Sequence, residues 1–254
     1  MGYTLDMFKN KNKEILFYPN NSACAKYIDP PEPSSKNNIP LWYRQLPKYA
    51  NNEKKFNFVN RVSNLTVKSC LPIVDAFTAG YTFVLHCDVQ VHRNKDNSAF
   101  MTWAFNHSEI AGPVTPRSID VIDSSFCGWK DLDGYDNLEF NWMPLWSVKT
   151  PKGYSSLFTH PINRIDLPFY TLGGVLDTDG WGDAGNQPFL LKSGWEGIIP
   201  KGTPIFQVIP FKRDNWEGLA NKDMTGEYIK QIHKRNSFLK DYYKKNIWSS
   251  KNYK

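Results

Sequence analysis

No stretch of this 254-residue chain approaches eighteen consecutive apolar residues, so no segment is a candidate membrane-spanning helix. Residues 1–18 lack the apolar core of a secretory leader, so the expectation is a protein that is not secreted. Cysteine is scarce. Cys24, Cys70, Cys87 and Cys127 lie far apart with no CxxC pair, which argues against the usual zinc spacings and for free thiols in a reducing compartment. No internal repeat and no low-complexity tract is visible. Asn20, Asn64 and Asn106 stand in glycosylation sequons, but without a secretory route these are chance matches.

What is present describes a soluble globular protein long enough for one large domain or two small ones: 41% hydrophobic and 22% charged residues. Aromatics at 15%, with nine Trp, suit a β-rich core or a stacking surface. The formal charge of +6 is uneven. Residues 211–254 hold eleven Lys and Arg against five Asp and Glu, and residues 1–210 hold twenty of each. All the excess basicity lies in the tail.

Residues 1–64 read as an irregular arm packed on the core, because Pro30, Pro31, Pro33 and Pro40 break any helix. Ile39–Pro47 reads as a single aromatic helical turn. From residue 65 to 212, apolar runs alternate with Gly, Pro, Asn and Asp at roughly ten-residue spacing. The runs are 81–91, 99–105, 113–121, 138–146, 155–160 and 188–192. This pattern predicts a mainly β domain, a barrel or sandwich. In residues 213–254, Tyr228, Ile229, Ile232, Phe238, Leu239, Tyr242 and Tyr243 recur at helical spacing among Lys and Arg, which predicts an amphipathic C-terminal helix. Its apolar side is expected to dock on the body or on a neighbouring subunit. Contact of its basic side with nucleic acid is a less favoured alternative.

The stretch 173–210 is the most informative. Gly174-Val175-Leu176-Asp177-Thr178-Asp179, closed by Gly180 and Gly182, is a hydrophobic run ending in an acidic turn. About twenty residues on, Gly202 precedes the alternating Ile205, Gln207 and Ile209, which read as a return strand. Order and spacing resemble the third motif (Gly-Val-Ile-Asp-x-Asp-Tyr-Arg-Gly) and the fourth (Gly-Asp-x-Ile-Ala-Gln-Leu) of dUTPases and the related dCTP deaminases. The resemblance implies a dUTPase-like or jelly-roll-like β-barrel. It also implies Asp177 as the general base that activates water, with Mg²⁺ holding phosphates. Asp179, Gln207, Asn163, Arg164 and Tyr81 are its ligand-binding candidates. Departures are plain. Thr82, after Ala79-Gly80-Tyr81, stands where the family has a magnesium-linked Asp. The second motif survives only as His160-Pro161-Ile162-Asn163-Arg164 or the distant Pro116-Arg117-Ser118. The glycine-rich fifth motif is missing, and the basic helix occupies its place. The plainer reading of 174–182 is a tight β-turn whose carboxylates satisfy backbone amides.

A wider similarity covers residues 30–215. It is carried by Ile39-Pro40-Leu41-Trp42-Tyr43, by Thr66–Pro72 with Asp75-Ala76 and Ala79-Gly80-Tyr81, and by Lys201–Arg213. These segments resemble a family of tailed-bacteriophage proteins without an assigned activity, which implies a viral origin and a place in the host cytoplasm or the virion.

His86-Cys87-Asp88 also has the His-x-Asp form of a facial triad, with His160 as distal ligand and Arg164 as clamp for a cosubstrate carboxylate. If residues 81–91 form one strand, His86 and Asp88 share a side. That reading would take Fe²⁺ and 2-oxoglutarate, whereas a pocket-lining or core His86 needs neither. Asp131, Asp133 and Asp136 only faintly echo a calcium loop and read as a solvated turn. Trp129, Trp142, Trp146, Trp181 and Trp195 read as core and rim aromatics.

Two classes of function follow. One is a non-enzymatic phage protein, a virion component or a module that binds a viral or host protein. It is favoured because Thr82 and the missing arm remove the parts that handle phosphate. The alternative is a nucleotide-binding or nucleotide-processing protein, and the iron oxygenase is a second alternative. Homo-oligomers, with a trimer as one form, follow by analogy with proteins of similar fold. No membrane partner is expected.

Overall fold

A computed structural model describes residues 13–57, 62–116, 132–180, 185–220, 226–237 and 242–254. Within them the protein is mainly β, and every paired strand is antiparallel. The largest sheet runs in the order β13 (Gly174–Leu176), β11 (Tyr154–Thr159), β16 (Pro204–Lys212), β5 (Tyr81–Val84) and β2 (Glu32–Pro33). A four-stranded sheet follows β12 (Phe169–Thr171), β14 (Gln187–Lys192), β9 (Tyr135–Trp142) and β8 (Val114–Pro116). A third holds β15 (Gly197–Ile199), β6 (Val89–Arg93) and β7 (Ala99–Trp103). Two short pairs complete the set: β1 (Leu16–Pro19) with β10 (Trp146–Lys149), and β3 (Phe56–Asn57) with β4 (Val62–Ser63).

One core joins the three larger sheets. Phe83, Phe158, Phe206 and Val208 come from the first, Phe140, Trp142, Phe169, Phe189 and Leu191 from the second, and Val89, Val91 and Ile199 from the third. Trp142 stacks on Phe189 at 3.7 Å and meets Phe169 edge-on at 4.8 Å, the latter in the T-shaped geometry that aromatic rings prefer. Its indole N–H donates to Thr171 Oγ1 at 3.1 Å, and that hydroxyl donates to the Ile205 carbonyl at 2.6 Å. This buried relay ties the second sheet to β16.

The return strand is central. β16 lies between β11 and β5, so Phe206, Gln207 and Val208 are all buried, and the alternation read from Ile205, Gln207 and Ile209 does not separate a wet face from a dry one. Pairing with β5 ends at Val208, so Pro210 sits where β16 has only β11 beside it and its missing N–H costs no ladder bond. Gly80 is required just upstream of β5. Its φ is +65°, and a Cβ there would lie 2.0 Å from the Val208 carbonyl oxygen.

The proline-rich arm does more than drape the core. It supplies β1 and β2 to sheets, and also α1 (Ser22–Tyr27) and α2 (Leu41–Gln45), the expected aromatic turn. Asn21 caps α1 by accepting from the Cys24 N–H at 2.7 Å. Helix α3 (Leu71–Phe77), with Pro72 in its first turn, buries Phe77 against Ile39 and Tyr43. The tail carries α4 (Glu227–Ser237) and α5 (Tyr242–Asn246), while Phe238, Leu239 and Lys240 of the expected helix lie outside the described residues. So do Arg117, Ser118, Cys127, Trp129, Asp131, Trp181 and Gly182.

The run 81–91 is not one strand. β5 and β6 are separated by a bend at 85–88, so His86 and Asp88 share no strand face.

Candidate functional site

The acidic turn projects from the end of β13. Its middle residue, Thr178, is fully buried, and its hydroxyl bonds Thr150 Oγ1 at 2.7 Å and Ser156 Oγ at 2.9 Å. The Gly180 N–H closes the turn onto the Asp177 carbonyl at 2.9 Å. With Thr178 pointing in, the flanking Asp177 and Asp179 both reach one cation, the Arg213 guanidinium just past β16. Its Nη1 donates to Asp177 Oδ1 at 3.0 Å and to Asp179 Oδ1 at 2.9 Å, and its Nη2 donates to Asp179 Oδ2. Ser155 Oγ donates to Asp177 at 2.6 Å, the Gly153 N–H donates to Asp179 at 2.7 Å, and Lys149 Nζ donates to the Asp179 carbonyl at 2.7 Å.

These contacts set the chemistry of the carboxylates. The Ser155 hydrogen bond and then the Arg213 charge hold Asp177 below the usual carboxylate range. Arg213 first and the Gly153 amide second bring Asp179 down to about 2. A general base works best with a pKa near the operating pH, and Asp177 is moved the other way. Arg213 is the residue that sequence reasoning missed as a partner. It lies more than thirty positions from the turn, and only the alignment of β16 with β11 and β13 brings it there.

The ligand-binding candidates do not converge on one pocket. Gln207 is buried. Its Oε1 accepts from the Ile162 N–H at 3.0 Å, and its Nε2 donates to the carbonyls of Ala76, at 3.1 Å, and of Ala79. Arg164 forms a fork to Asp166 at 2.9 and 2.8 Å, and Trp42 Nε1 donates to the same carboxylate at 3.3 Å. Asn163 is an exposed turn residue with φ +62°. Tyr81 is buried, which raises its phenol pKa, and its hydroxyl donates to the Lys254 carbonyl at 3.1 Å. Thr82 is buried under the arm, bonded to Ser34 Oγ at 2.7 Å and to Asn38 Nδ2 at 2.5 Å. A magnesium-phosphate site does not fit residues so engaged.

The iron candidates are also placed apart from that chemistry. No group of three or more His, Cys, Asp or Glu side chains among the described residues is arranged to hold a metal ion. His160 Nδ1 accepts from the Thr171 N–H at 3.2 Å, so its Nε2–H donates to the Arg164 carbonyl at 3.0 Å and neither nitrogen is left for a metal. Asp88 accepts from the Lys201 N–H at 2.7 Å. The proposed clamp, Arg164, faces Asp166.

His86 lines a pocket between the arm and the body, among Pro30, Pro31, Pro113, Met143 and Trp146. Its Nε2 and the Trp146 Nε1 are the two buried side-chain polar atoms without a hydrogen-bond partner among the described residues. Burial, and then the charge of Lys201, lowers the His86 pKa to about 4, so the ring is neutral at neutral pH. The pocket is lined mainly by apolar and proline side chains, with His86 and Asp29 among its polar ones. No protein-family model matches the chain, and no curated protein matches its sequence.

Proposed function

We propose that the chain is a non-enzymatic structural or interaction protein of tailed bacteriophages, acting in the virion or the host cytoplasm and working as a homo-oligomer. The observation that carries this reading is the Arg213 clamp on Asp177 and Asp179. The turn whose carboxylate would activate water is instead a strut that locks β13, β11 and the end of β16 together. Support also comes from Thr82 and Gln207, whose polar atoms are engaged inside the protein. The phage origin and the kinship of the core with dUTPases rest on the sequence resemblances alone.

The test is a thermal-shift and pyrophosphate-release assay with dUTP, dCTP and Mg²⁺. A nucleotide present at 100 times its Kd would stabilise the fold by about 2.7 kcal/mol. For a chain of this size that is a rise of roughly 5–11 °C. The expected result is no shift and no pyrophosphate, together with the chain's recovery in purified phage particles or in a stable complex with a viral or host protein. A shift or turnover abolished by Asp177→Asn would overturn the reading.

A further inference from the structure

Among the described residues, the C-terminal extension leaves the body at Arg213 and is fastened to it again at its end. Trp248 Nε1 and Lys251 Nζ donate to Asp75 Oδ2 at 2.8 and 2.7 Å, and the Tyr253 ring meets Tyr81 edge-on at 5.9 Å. Between these anchors most described residues are exposed, with Ile229, Ile232 and Tyr242 half-buried. Every residue from Asp214 to Ala220 is exposed, with Trp216 at 90% and Leu219 at 80%. Tyr228 on α4 and Tyr243 on α5 are exposed, and so are Lys230, Lys244 and Lys245. The apolar side of the tail is expected to dock on the body or on a neighbouring subunit; within the chain Ile229, Ile232 and Tyr242 are half-buried, while Tyr228 and Tyr243 are exposed.

The charge is outward as well. Of the eleven basic residues in 211–254, Arg213 and Lys251 are neutralised by carboxylates of the body and Lys212 by Asp214. Lys230, Lys244 and Lys245 form no ion pair within the described residues. Exposed aromatic rings interleaved with free ammonium groups match one ligand chemistry, phosphates joined to unpaired bases that stack.

We infer that this anchored extension is a binding limb for single-stranded nucleic acid. The inference deepens the interaction reading by naming the class of partner. A lipid surface fits less well. Among the described side chains of α4 the aliphatic Ile229 and Ile232 are the half-buried ones, whereas an interfacial helix must turn its apolar side outward.

Fluorescence anisotropy with the full chain tests this, using a labelled 20-nucleotide single strand, the matching duplex, and phosphatidylserine vesicles as probes. The expected result is single-strand binding that weakens steeply with salt. Replacing Lys230, Lys244 and Lys245 together by Ala removes three phosphate contacts. It should flatten the log–log salt slope by about 2 and lower affinity about a hundredfold at 0.1 M salt. Trp216→Ala should weaken single-strand binding roughly tenfold while leaving the duplex unchanged. Because all four side chains are exposed, an unchanged melting temperature will verify that the variants fold. No binding at 50 mM salt, an unchanged slope in the triple variant, or a preference for vesicles overturns the inference. The non-enzymatic reading is judged separately, by mononucleotides at Asp177, so the two fail independently.

Discussion

Replacing Gln207 with Leu separates a ligand-binding glutamine from a structural one. The side chain joins three segments that are not neighbours in sequence, receiving a bond from the Ile162 N–H and donating to the carbonyls of Ala76 and Ala79. Leu has nearly the same volume, so no cavity term enters, but one amide N–H and two carbonyls lose their partner at a residue only 2% exposed. Each orphaned group costs about 1–3 kcal/mol, and the lower end applies because neighbouring backbone is only partly buried. The total is about 3 kcal/mol. In a domain of this size that lowers the melting temperature by roughly 6–12 °C. Urea denaturation should show a lower midpoint with an unchanged m-value. A drop of less than 2 °C would refute the structural role, and a loss of ligand affinity without loss of stability would restore the ligand-binding one.

Two further outcomes follow from the same geometry. Gly80→Ala forces a Cβ to within 2.0 Å of the Val208 carbonyl at a left-handed φ, so β5 or β16 must shift. A loss of at least about 2 kcal/mol is expected, and amide exchange should speed up along both strands; a neutral variant would contradict the close approach. Stability should also fall with acid in two windows. His86 takes a proton near pH 6.5 when unfolded but near 4 when folded, so the folded state loses ground between those values, by about 2 kcal/mol once its partial exposure is allowed for. Burial lowers the His160 pKa too, which acts in the same direction. Asp177 and Asp179 titrate below their ordinary 3.8 when folded, so their contribution holds above that pH and disappears as pH falls toward 2. Melting curves from pH 8 to 2 should show a smaller upper step in His86→Phe and a smaller lower one in Arg213→Met, and a wild-type curve flat from pH 6.5 to 4 would contradict the first assignment.

Much of the architecture was legible along the chain. Apolar runs cut by Gly, Pro and Asn every ten residues announce short strands, because those residues end ladders through local backbone geometry alone. α2 was readable from Ile39–Pro47 for the same reason. The bend at 85–88 was not, since Leu85, His86 and Cys87 have nothing in their local chemistry that stops a strand. Their course is set by Lys201 and Thr203, which bond Asp88 and Leu85 from a distant turn.

The sequence by itself determined that the protein is mainly β with a basic tail, and that an acidic glycine-flanked turn would stand at a strand end. Composition, turn chemistry and charge are properties of neighbouring residues. Only the tertiary structure decided what that turn does. Placing β13 and β16 on either side of β11 delivers Arg213 to both carboxylates, buries Gln207 against two other backbone segments, and leaves Trp216 in water. Strand order and register are set by how all the apolar faces pack at once, and no local pattern carries that information.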